Sequence, residues 1–190
     1  MHRSIMVSKL ITLHNWWETL DNDWRELIID QLELNGCFAE ADIEFVLTIT
    51  ELDCSGSSIT DLAPVTQLTH LKSLDISNTP VTDLSPLVHL PYLRELHASF
   101  CGELDLSVLE QMPQLEVLDI SYPQDLEIKL PDLSLLDNLR ELYCNACGVR
   151  SVVPFIGNSR IEVICAFFNP IPKVEITAYR EMMPGCKVLF

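Results

Sequence analysis

Two cysteines separated by two residues are the first feature of this sequence whose types and spacing could do chemistry. Cys144 and Cys147 form a Cys-x-x-Cys motif. Such a motif serves thiol–disulfide exchange or supplies half of a tetrahedral zinc site. No second Cys-x-x-Cys or Cys-x-x-His motif exists in the 190 residues to complete a zinc site. The seven cysteines are an odd number, so they cannot all pair within one chain, and reduced thiols are expected.

Other arrangements that could support a reaction are weak. The five histidines are scattered, and none combines with a cysteine and an acid at a spacing typical of nucleophilic catalysis. Cys54 follows Asp53 directly, but it stands at an inward position of the pattern described below, where a buried thiol is inert. Six dispersed glycines form no phosphate-binding loop. The sequence therefore predicts no catalysis, no cofactor and no metal.

The charge balance limits the partners that the chain can bind. There are 28 acidic residues against 12 lysines and arginines, which gives a formal net charge of −16. Nucleic acids and anionic membranes are bound through lysine and arginine, so this balance argues against both. No apolar run approaches the roughly 18 residues of a membrane span. The acidity favours solubility and a basic partner.

An apolar pattern with a 22-residue period organises most of the chain. In the segment Leu71–Tyr92 the apolar residues fall at offsets 0, 3, 5, 10, 13, 16 and 19, and the pattern restarts at Leu93. The fourth copy needs two extra residues near Pro123–Ile128. Such repetition predicts a solenoid whose stacked units share one core. The six copies begin at Ile49, Leu71, Leu93, Leu115, Leu139 and Ile161.

Each copy combines two local patterns. Its first residues alternate between apolar and polar, which predicts a strand with its apolar side inward. The segments Asp61–Pro64 and Asp83–Pro86 then place proline at a first helical position, which predicts a brief helix. Cys144 and Cys147 occupy offsets 5 and 8 of this pattern, and other copies place Cys54 and Cys101 there. Core packing is therefore the favoured interpretation of the Cys-x-x-Cys motif.

The segments that flank the repeats predict caps, because the ends of a solenoid expose apolar cross-sections. Trp24, Leu27 and Ile28 follow Asp21 and Asp23 at helical spacing. The predicted organisation is one domain with an N-terminal extension at 1–13, a helical N-terminal cap at 14–48, about six repeats at 49–174, and a C-terminal cap at 175–190. Val174 is the last expected core residue of the repeats. The final cap is expected to hold a helix around Ile176 and Tyr179 and a closing strand at 186–190, and Asn35-Gly36 is expected to form a turn.

The six copies resemble the leucine-rich repeat family, and their Thr-Asp-Leu-x-Pro segments resemble the 22-residue class found in bacterial internalins and phosphatase-regulator proteins. The resemblance implies an α/β solenoid, curved, with a parallel sheet on its concave face. The chain departs from the family at offset 8, where asparagine usually bonds the turn backbone. Serine, threonine and cysteine do so only partly and proline does not, which marks the fourth copy as irregular. The residues at this offset are Ser57, Thr79, Cys101, Pro123, Cys147 and Asn169.

The candidate binding residues lie on the outward side of the predicted strands and at one rim. Offsets 2 and 4 carry an acidic column in which neighbouring carboxylates such as Asp53 and Asp75 repel each other. A basic partner would relieve that repulsion; the alternative is a merely solvated acidic face. Large aromatic residues at the rim are candidate interface anchors, although Phe167 and Phe168 could instead pack under the C-terminal cap. The predicted partner-binding residues are Asp53, Asp75, Glu95, His97, Phe100, Asp119, Tyr122, Glu141, Tyr143 and Phe167.

These observations predict a non-catalytic module that binds a protein or peptide partner, favoured to be a monomer. A cytoplasmic location is expected, because Lys9 interrupts the apolar N-terminal run and no signal-cleavage pattern follows. Two alternatives of other classes stay open: an exported adhesin or effector of internalin type, and a regulatory subunit of a cellular enzyme.

Overall fold

The computed structural model describes residues 14–33, 42, 45–123 and 128–190. The predictions for the extension at 1–13, for the Asn35-Gly36 turn and for part of the inserted segment in the fourth copy lie outside these residues.

Seven short parallel strands form one sheet in which each strand pairs with its neighbours in chain order. The pairing register advances by 22 residues per step over the first four strands, for example from Leu52 to Leu74 and from Leu74 to Leu96. The central residue of each strand is buried, whereas the flanking residues of most strands face outward. The strands are β1 (Glu51–Asp53), β2 (Ser73–Asp75), β3 (Glu95–His97), β4 (Val117–Asp119), β5 (Glu141–Tyr143), β6 (Val163–Cys165) and β7 (Lys187–Leu189).

Short helices cover the other side of the core. Proline stands at the start of the helices of the first two repeats, where its missing N–H costs no hydrogen bond. In the third and fourth repeats, Asp105 and Asp132 cap the helix by accepting from Ser107 N and Ser134 N. The fourth helix is the shortest of the four 3-10 helices among the described residues. The helices are η1 (Ala63–Gln67), η2 (Ser85–His89), η3 (Leu106–Gln111), η4 (Leu133–Leu135) and α2 (Val153–Ile156).

One continuous apolar cluster runs between the sheet and these helices from Trp16 to Val188. Stacking the repeats is what creates it, since a single unit cannot bury its own apolar edge. The α/β solenoid predicted from the period is therefore confirmed.

The turns after the strands are joined to the core by the residue at offset 8. Thr79 Oγ1 donates to Ile76 O of its own repeat at 2.7 Å, and Cys101 Sγ donates to the same oxygen from the next repeat at 3.2 Å. Asn169 Nδ2 donates to both kinds of carbonyl, Ala166 O at 2.9 Å and Cys144 O at 2.8 Å. The expectation that threonine and cysteine replace asparagine only partly is confirmed, because Thr79 bonds the strand-end carbonyl of its own repeat and Cys101 that of the preceding repeat, whereas Asn169 bonds both kinds.

Helices cover the first strand. The predicted helix is present as α1 (Asn22–Gln31), capped by Asp21, which accepts from Trp24 N at 2.9 Å. Residues 14–19 form another helical segment. The indole N–H groups of Trp16 and Trp24 donate to Pro64 O and Asp61 O of the first repeat, at 3.1 and 2.9 Å. These bonds attach the N-terminal helices to the first repeat while the rings complete the core.

The last helix and the closing strand are also present. Helix α3 (Lys173–Met182) buries Tyr179, whose hydroxyl donates to Phe155 O at 3.2 Å. Strand β7 then pairs with β6. The prediction that Val174 lies in the core was wrong: it is 75% exposed, because it stands in the first turn of α3 rather than in a repeat. No helix among the residues described is long and apolar enough to cross a membrane.

Candidate functional site

The outward side chains of the strands form one surface, which we call the strand face. The parallel register places residues of equal offset beside each other, so that Asp75 lies next to Asp53 on one side and His97 on the other. Neighbouring strands are about 4.8 Å apart, which makes each column of equal offset continuous. Cys165, beside Tyr143 in this column, is buried. Predicted site residues on this face are Asp53, Asp75, Glu95, His97, Asp119, Glu141 and Tyr143.

The aspartates of the strand face have a structural role that the sequence analysis did not identify. Asp53, Asp75 and Asp119 each accept, through Oδ1, from the backbone N–H two residues later, at 2.8, 2.8 and 2.9 Å. The donors belong to Ser55, Ser77 and Ser121. This local bond stabilises the turn. The repeated Asp-x-Ser spacing was the signal that could have revealed it.

Tyr143 and Glu141 form a pair on the fifth strand. The Tyr143 hydroxyl donates to Glu141 Oε2 at 2.6 Å. That hydrogen bond, followed by burial, raises the pKa of Tyr143 to about 12. The phenol therefore stays neutral near pH 7 and orients the carboxylate of Glu141, one of the predicted site residues, along the strand face.

The rim beside the strand face has an unusual backbone. Each of the six repeats places one residue with positive φ at offset 7, three residues after the last residue of its strand. Glycine and asparagine adopt this left-handed conformation readily, whereas bulky residues are strained by roughly 1–2 kcal/mol. The φ values are 58° for Phe100, 55° for Tyr122 and 61° for Phe168. The full column, which we call the rim column, is Gly56, Asn78, Phe100, Tyr122, Ala146 and Phe168.

Phe100 and Tyr122 are exposed and stacked on each other. Their side chains are 52% and 37% exposed, their ring centroids are 5.0 Å apart, and the ring planes differ by 7°. This separation is close to the distance between strands, so the rings repeat with the solenoid. The sequence predicted the exposed aromatics but not their backbone conformation, for which Gly56 and Asn78 at the same offset were the available signal.

Phe167 lies apart from that pair. The alternative that Phe167 and Phe168 pack under the C-terminal cap was wrong, because they are 40% and 79% exposed. Their own ring centroids are 6.3 Å apart. The fifth repeat separates them from Tyr122. The structure thus brings Phe100 and Tyr122 together and places Phe167 two repeats further along.

A line of small polar side chains at offset 6 holds the rim column in register. Ser121 Oγ accepts from Asn145 N at 3.2 Å, and Asn145 Oδ1 accepts from Phe167 N at 2.8 Å. In the second repeat Ser77 Oγ accepts from Ser99 N at 3.2 Å. These bonds link successive turns, so the spacing of the aromatic residues is fixed by the frame.

The Cys-x-x-Cys motif lies inside the core, as the packing interpretation predicts. Cys144 and Cys147 are fully buried, and Cys147 Sγ donates to Ile120 O at 3.2 Å. Burial raises the pKa of Cys147 to about 12 and that of Cys144 well above its usual value. Both thiols are therefore protonated and poorly nucleophilic. Across the described part of the chain, no three histidine, cysteine or acidic side chains are grouped to hold a metal ion.

A family model described as Leucine Rich repeats (2 copies) matches residues 48–89. No curated protein matches the chain.

Two solved structures of internalins from Listeria monocytogenes are similar to the chain. InlF is 25% identical with a TM-score of 0.59, covering 70% of this chain and 38% of its own. Internalin C2 is 17% identical with a TM-score of 0.61, covering 88% and 82%. The Arabidopsis receptor kinase HAESA, solved with the peptide hormone IDA and the co-receptor SERK1, is 14% identical with a TM-score of 0.64, covering 95% of this chain and 33% of its own. This chain therefore spans well under half of InlF.

Proposed function

Because this chain is a leucine-rich repeat protein, we propose that it is a non-catalytic module that binds a protein or peptide carrying basic groups. The contact surface is the strand face together with the aromatic part of the rim column. Leucine-rich repeat proteins are typically interaction modules, and the HAESA neighbour was solved with a peptide hormone bound. We propose the basic character of the partner and its contacts with this surface.

The observation that carries the proposal is the strained, exposed pair of Phe100 and Tyr122. Neither ring is buried in the core, so core packing does not offset the backbone strain. Exposed aromatic residues on a rigid frame are effective anchors, because they bury much apolar area with little loss of side-chain entropy. The strain is then explained by a partner that covers them.

The carboxylates of the strand face supply the preference for a basic partner. Asp75 and Asp119 each use one oxygen for the turn and keep a second oxygen for a ligand. A lysine or arginine placed between the columns would relieve the repulsion among the carboxylates and increase the association rate through the net charge of −16.

The test is a variant in which Asp75, Phe100, Asp119 and Tyr122 are all replaced by asparagine. Asparagine keeps the turn acceptor of the two aspartates and is tolerated at positive φ, so the fold is retained. A fluorescent random peptide library is sorted on the wild-type protein and on this variant. We expect basic peptides to be enriched by the wild type and lost by the variant, with unchanged circular dichroism.

The matched control alters the opposite end of the strands. Arg94 and Glu116 form an exposed ion pair there, and replacing both with glutamine changes two charged residues without touching the strand face. This control should enrich the same peptides as the wild type. Enrichment of acidic peptides, or equal enrichment by the asparagine variant, would contradict the proposal.

We further propose that the protein works in the cytoplasm, as a partner-binding subunit rather than an exported adhesin. Six cysteines in the described residues are unpaired and buried, which suits a reducing compartment. Fractionation of the source cells tests this: recovery in the soluble cell extract is expected, and recovery in the culture medium would instead favour the internalin-type adhesin.

A further inference from the structure

The rim column has a gap in its series of aromatic side chains. Phe100 and Tyr122 are followed by Ala146, and the next residue of the column is Phe168. All four share the left-handed backbone, with φ of 55° at Ala146. The backbone column is continuous through the gap, because Tyr122 N donates to Asn145 O at 2.7 Å and Ala146 N donates to Phe167 O at 2.8 Å. We call the space above the Ala146 methyl group, between Tyr122 and Phe168, the Ala146 notch.

The spacing of the column sets the width of this notch. One step of the column separates the Phe100 and Tyr122 rings by 5.0 Å. Two strand steps, from Tyr122 to Phe168, amount to roughly 10 Å. A planar group held between two rings at van der Waals contact needs about 7–8 Å, so the notch accepts one planar group. Among the described residues, Ala146 is half-buried and Phe168 is 79% exposed.

The surroundings of the notch select a cation. One wall is the face of Tyr122 that is turned away from Phe100, and the face of an aromatic ring attracts positive charge. Asp119 stands three residues before Tyr122 and accepts from the N–H of Ser121 in the same turn. Glu141 lies on the strand that leads to Ala146, held by the Tyr143 hydroxyl. Among biological cations, a guanidinium is planar, stacks on aromatic rings and bonds carboxylates with two donors.

We propose that the Ala146 notch seats the guanidinium of an arginine side chain of the partner, stacked on Tyr122 and paired with Asp119. This inference rests on the proposed function and adds to it a residue type and a position. It distinguishes the partner from one that offers only lysine, whose compact ammonium has neither a plane to stack on Tyr122 nor a two-donor fork for the carboxylate of Asp119.

The sharpest variant is Ala146→Phe, which fills the notch from within. The column already holds phenylalanine or tyrosine with the same backbone at three positions, so the side chain is compatible with the fold. The matched control is Asn78→Phe, which adds the same ring to the same kind of position next to Phe100, outside the notch. A second variant, Phe168→Ala, removes the far wall at a residue that is 79% exposed and therefore has little effect on folding.

The probes are one basic peptide enriched on the wild type and two copies of it with arginine replaced by lysine or by citrulline, the neutral planar analogue. Affinities are measured by fluorescence anisotropy. We expect Ala146→Phe to weaken the arginine peptide about tenfold and Phe168→Ala to weaken it several-fold, while Asn78→Phe leaves it unchanged. In the wild type, the lysine and citrulline peptides bind about tenfold more weakly than the arginine peptide.

Equal binding of the arginine peptide by the wild type and Ala146→Phe overturns the inference, as does equal binding of the arginine and lysine peptides. If the variant with four asparagines loses binding in that case, the proposed function stands and only the notch is rejected. If no basic peptide binds the wild type, both fail together.

Discussion

The second and third repeats build the same turn from different side chains. At offset 7 the second repeat has Asn78 with φ of 56° and the third has Phe100 with φ of 58°. At offset 8 the same carbonyl, Ile76 O, accepts from Thr79 of the second repeat and from Cys101 of the third. The backbone is therefore nearly identical, although one repeat uses residues suited to it and the other does not.

The difference between Asn78 and Phe100 shows which side chains favour the left-handed turn and which the turn can only accommodate. Asn78 adopts a left-handed backbone at little cost, whereas Phe100 is strained by roughly 1–2 kcal/mol. The stack with Tyr122 returns about 0.5–1.5 kcal/mol, which about balances the strain of one residue but not of two. Folding alone thus gives no reason for two aromatic residues in this place. The second repeat has the residue that the turn conformation favours. The aromatic residues at the same offset in the third and fourth repeats mark the surface on which we expect binding.

The largest expected effect tests whether the two repeats share an equal frame. Leu74 and Leu96 are the fully buried central residues of β2 and β3. Replacing either by alanine should lower the free energy of unfolding by about 2–5 kcal/mol, because a buried leucine leaves a cavity. Urea denaturation measures both, with the exposed Lys72→Ala as the control. If Leu96→Ala lowers the free energy of unfolding far less than Leu74→Ala, the two repeats do not contribute equally to the core.

The second prediction concerns offset 8. Asn169 bonds two carbonyls, and its Oδ1 accepts from Val149 N at 2.9 Å. In the third repeat Cys101→Asn would meet the equivalent groups, which are Ile76 O, Ala98 O and Val81 N. We therefore expect Cys101→Asn to raise the free energy of unfolding by about 1 kcal/mol.

The control for this change is Cys101→Ala in the same denaturation series. It removes the bond to Ile76 O and should destabilise the protein by about 1–3 kcal/mol. Loss of stability in Cys101→Asn would show that the third turn differs from the sixth in more than its side chain.

A smaller effect is expected from Phe100→Asn. Relief of the backbone strain and loss of the stack with Tyr122 oppose each other, so the free energy of unfolding should change by no more than about 1 kcal/mol. The fully buried Phe155→Ala provides the contrast, at about 3–5 kcal/mol. A loss of similar size in Phe100→Asn, measured by thermal unfolding, would mean that the ring serves the fold rather than a partner.

The smallest prediction is a pH dependence in the fifth repeat, where Tyr143 replaces the aspartate found at this position in the second. The hydrogen bond to Glu141 raises the pKa of Tyr143 to about 12 in the folded state, above roughly 10 in the unfolded chain. Its contribution to stability is therefore fully present below pH 10 and is lost as the pH rises from 10 to 12.

Glu141→Gln removes the carboxylate acceptor and should lower the pKa of Tyr143. Ultraviolet difference titration of phenolate formation, with Tyr143→Phe to identify the signal, measures this shift. Identical titration curves for the wild type and Glu141→Gln would mean that the hydrogen bond does not control the phenol.

The sequence was sufficient for the frame because the frame depends on apolar periodicity. Leucines at fixed offsets predicted the strands, the short helices after the Asp-Leu-x-Pro segments and the core position of the cysteines. The period failed at Val174, where the last repeat gives way to a helix while an apolar residue still occurs at the expected offset. Periodicity shows which residues are apolar but not which are buried, and α3 leaves Val174 exposed.

The candidate site was predicted less completely, since its geometry depends on turn conformation and hydrogen bonds. The outward columns and the exposed Phe100 and Tyr122 follow from the offsets. The left-handed backbone and the bonds from aspartate Oδ1 to serine N–H had signals in the sequence, Gly56 and Asn78 at one offset and the Asp-x-Ser spacing, but the apolar pattern does not contain them. The pairing of Tyr143 with Glu141 does not follow from the offsets either. Side-chain bonds of this kind need distances, which a pattern of apolar residues does not supply.

A single glutamine side chain forms hydrogen bonds with the first edge strand of the sheet. Gln31, the last residue of α1, presents its amide to β1: its Oε1 accepts from Asp53 N at 3.1 Å and its Nε2 donates to Asp53 O. The side chain thus pairs with the backbone N–H and carbonyl of Asp53 as a residue of a neighbouring strand would. An unprotected edge of a parallel solenoid invites head-to-tail growth, with the last strand of one copy adding to the first strand of the next, and such a contact does not close on itself. We therefore expect Gln31 to oppose the addition of another strand at this edge.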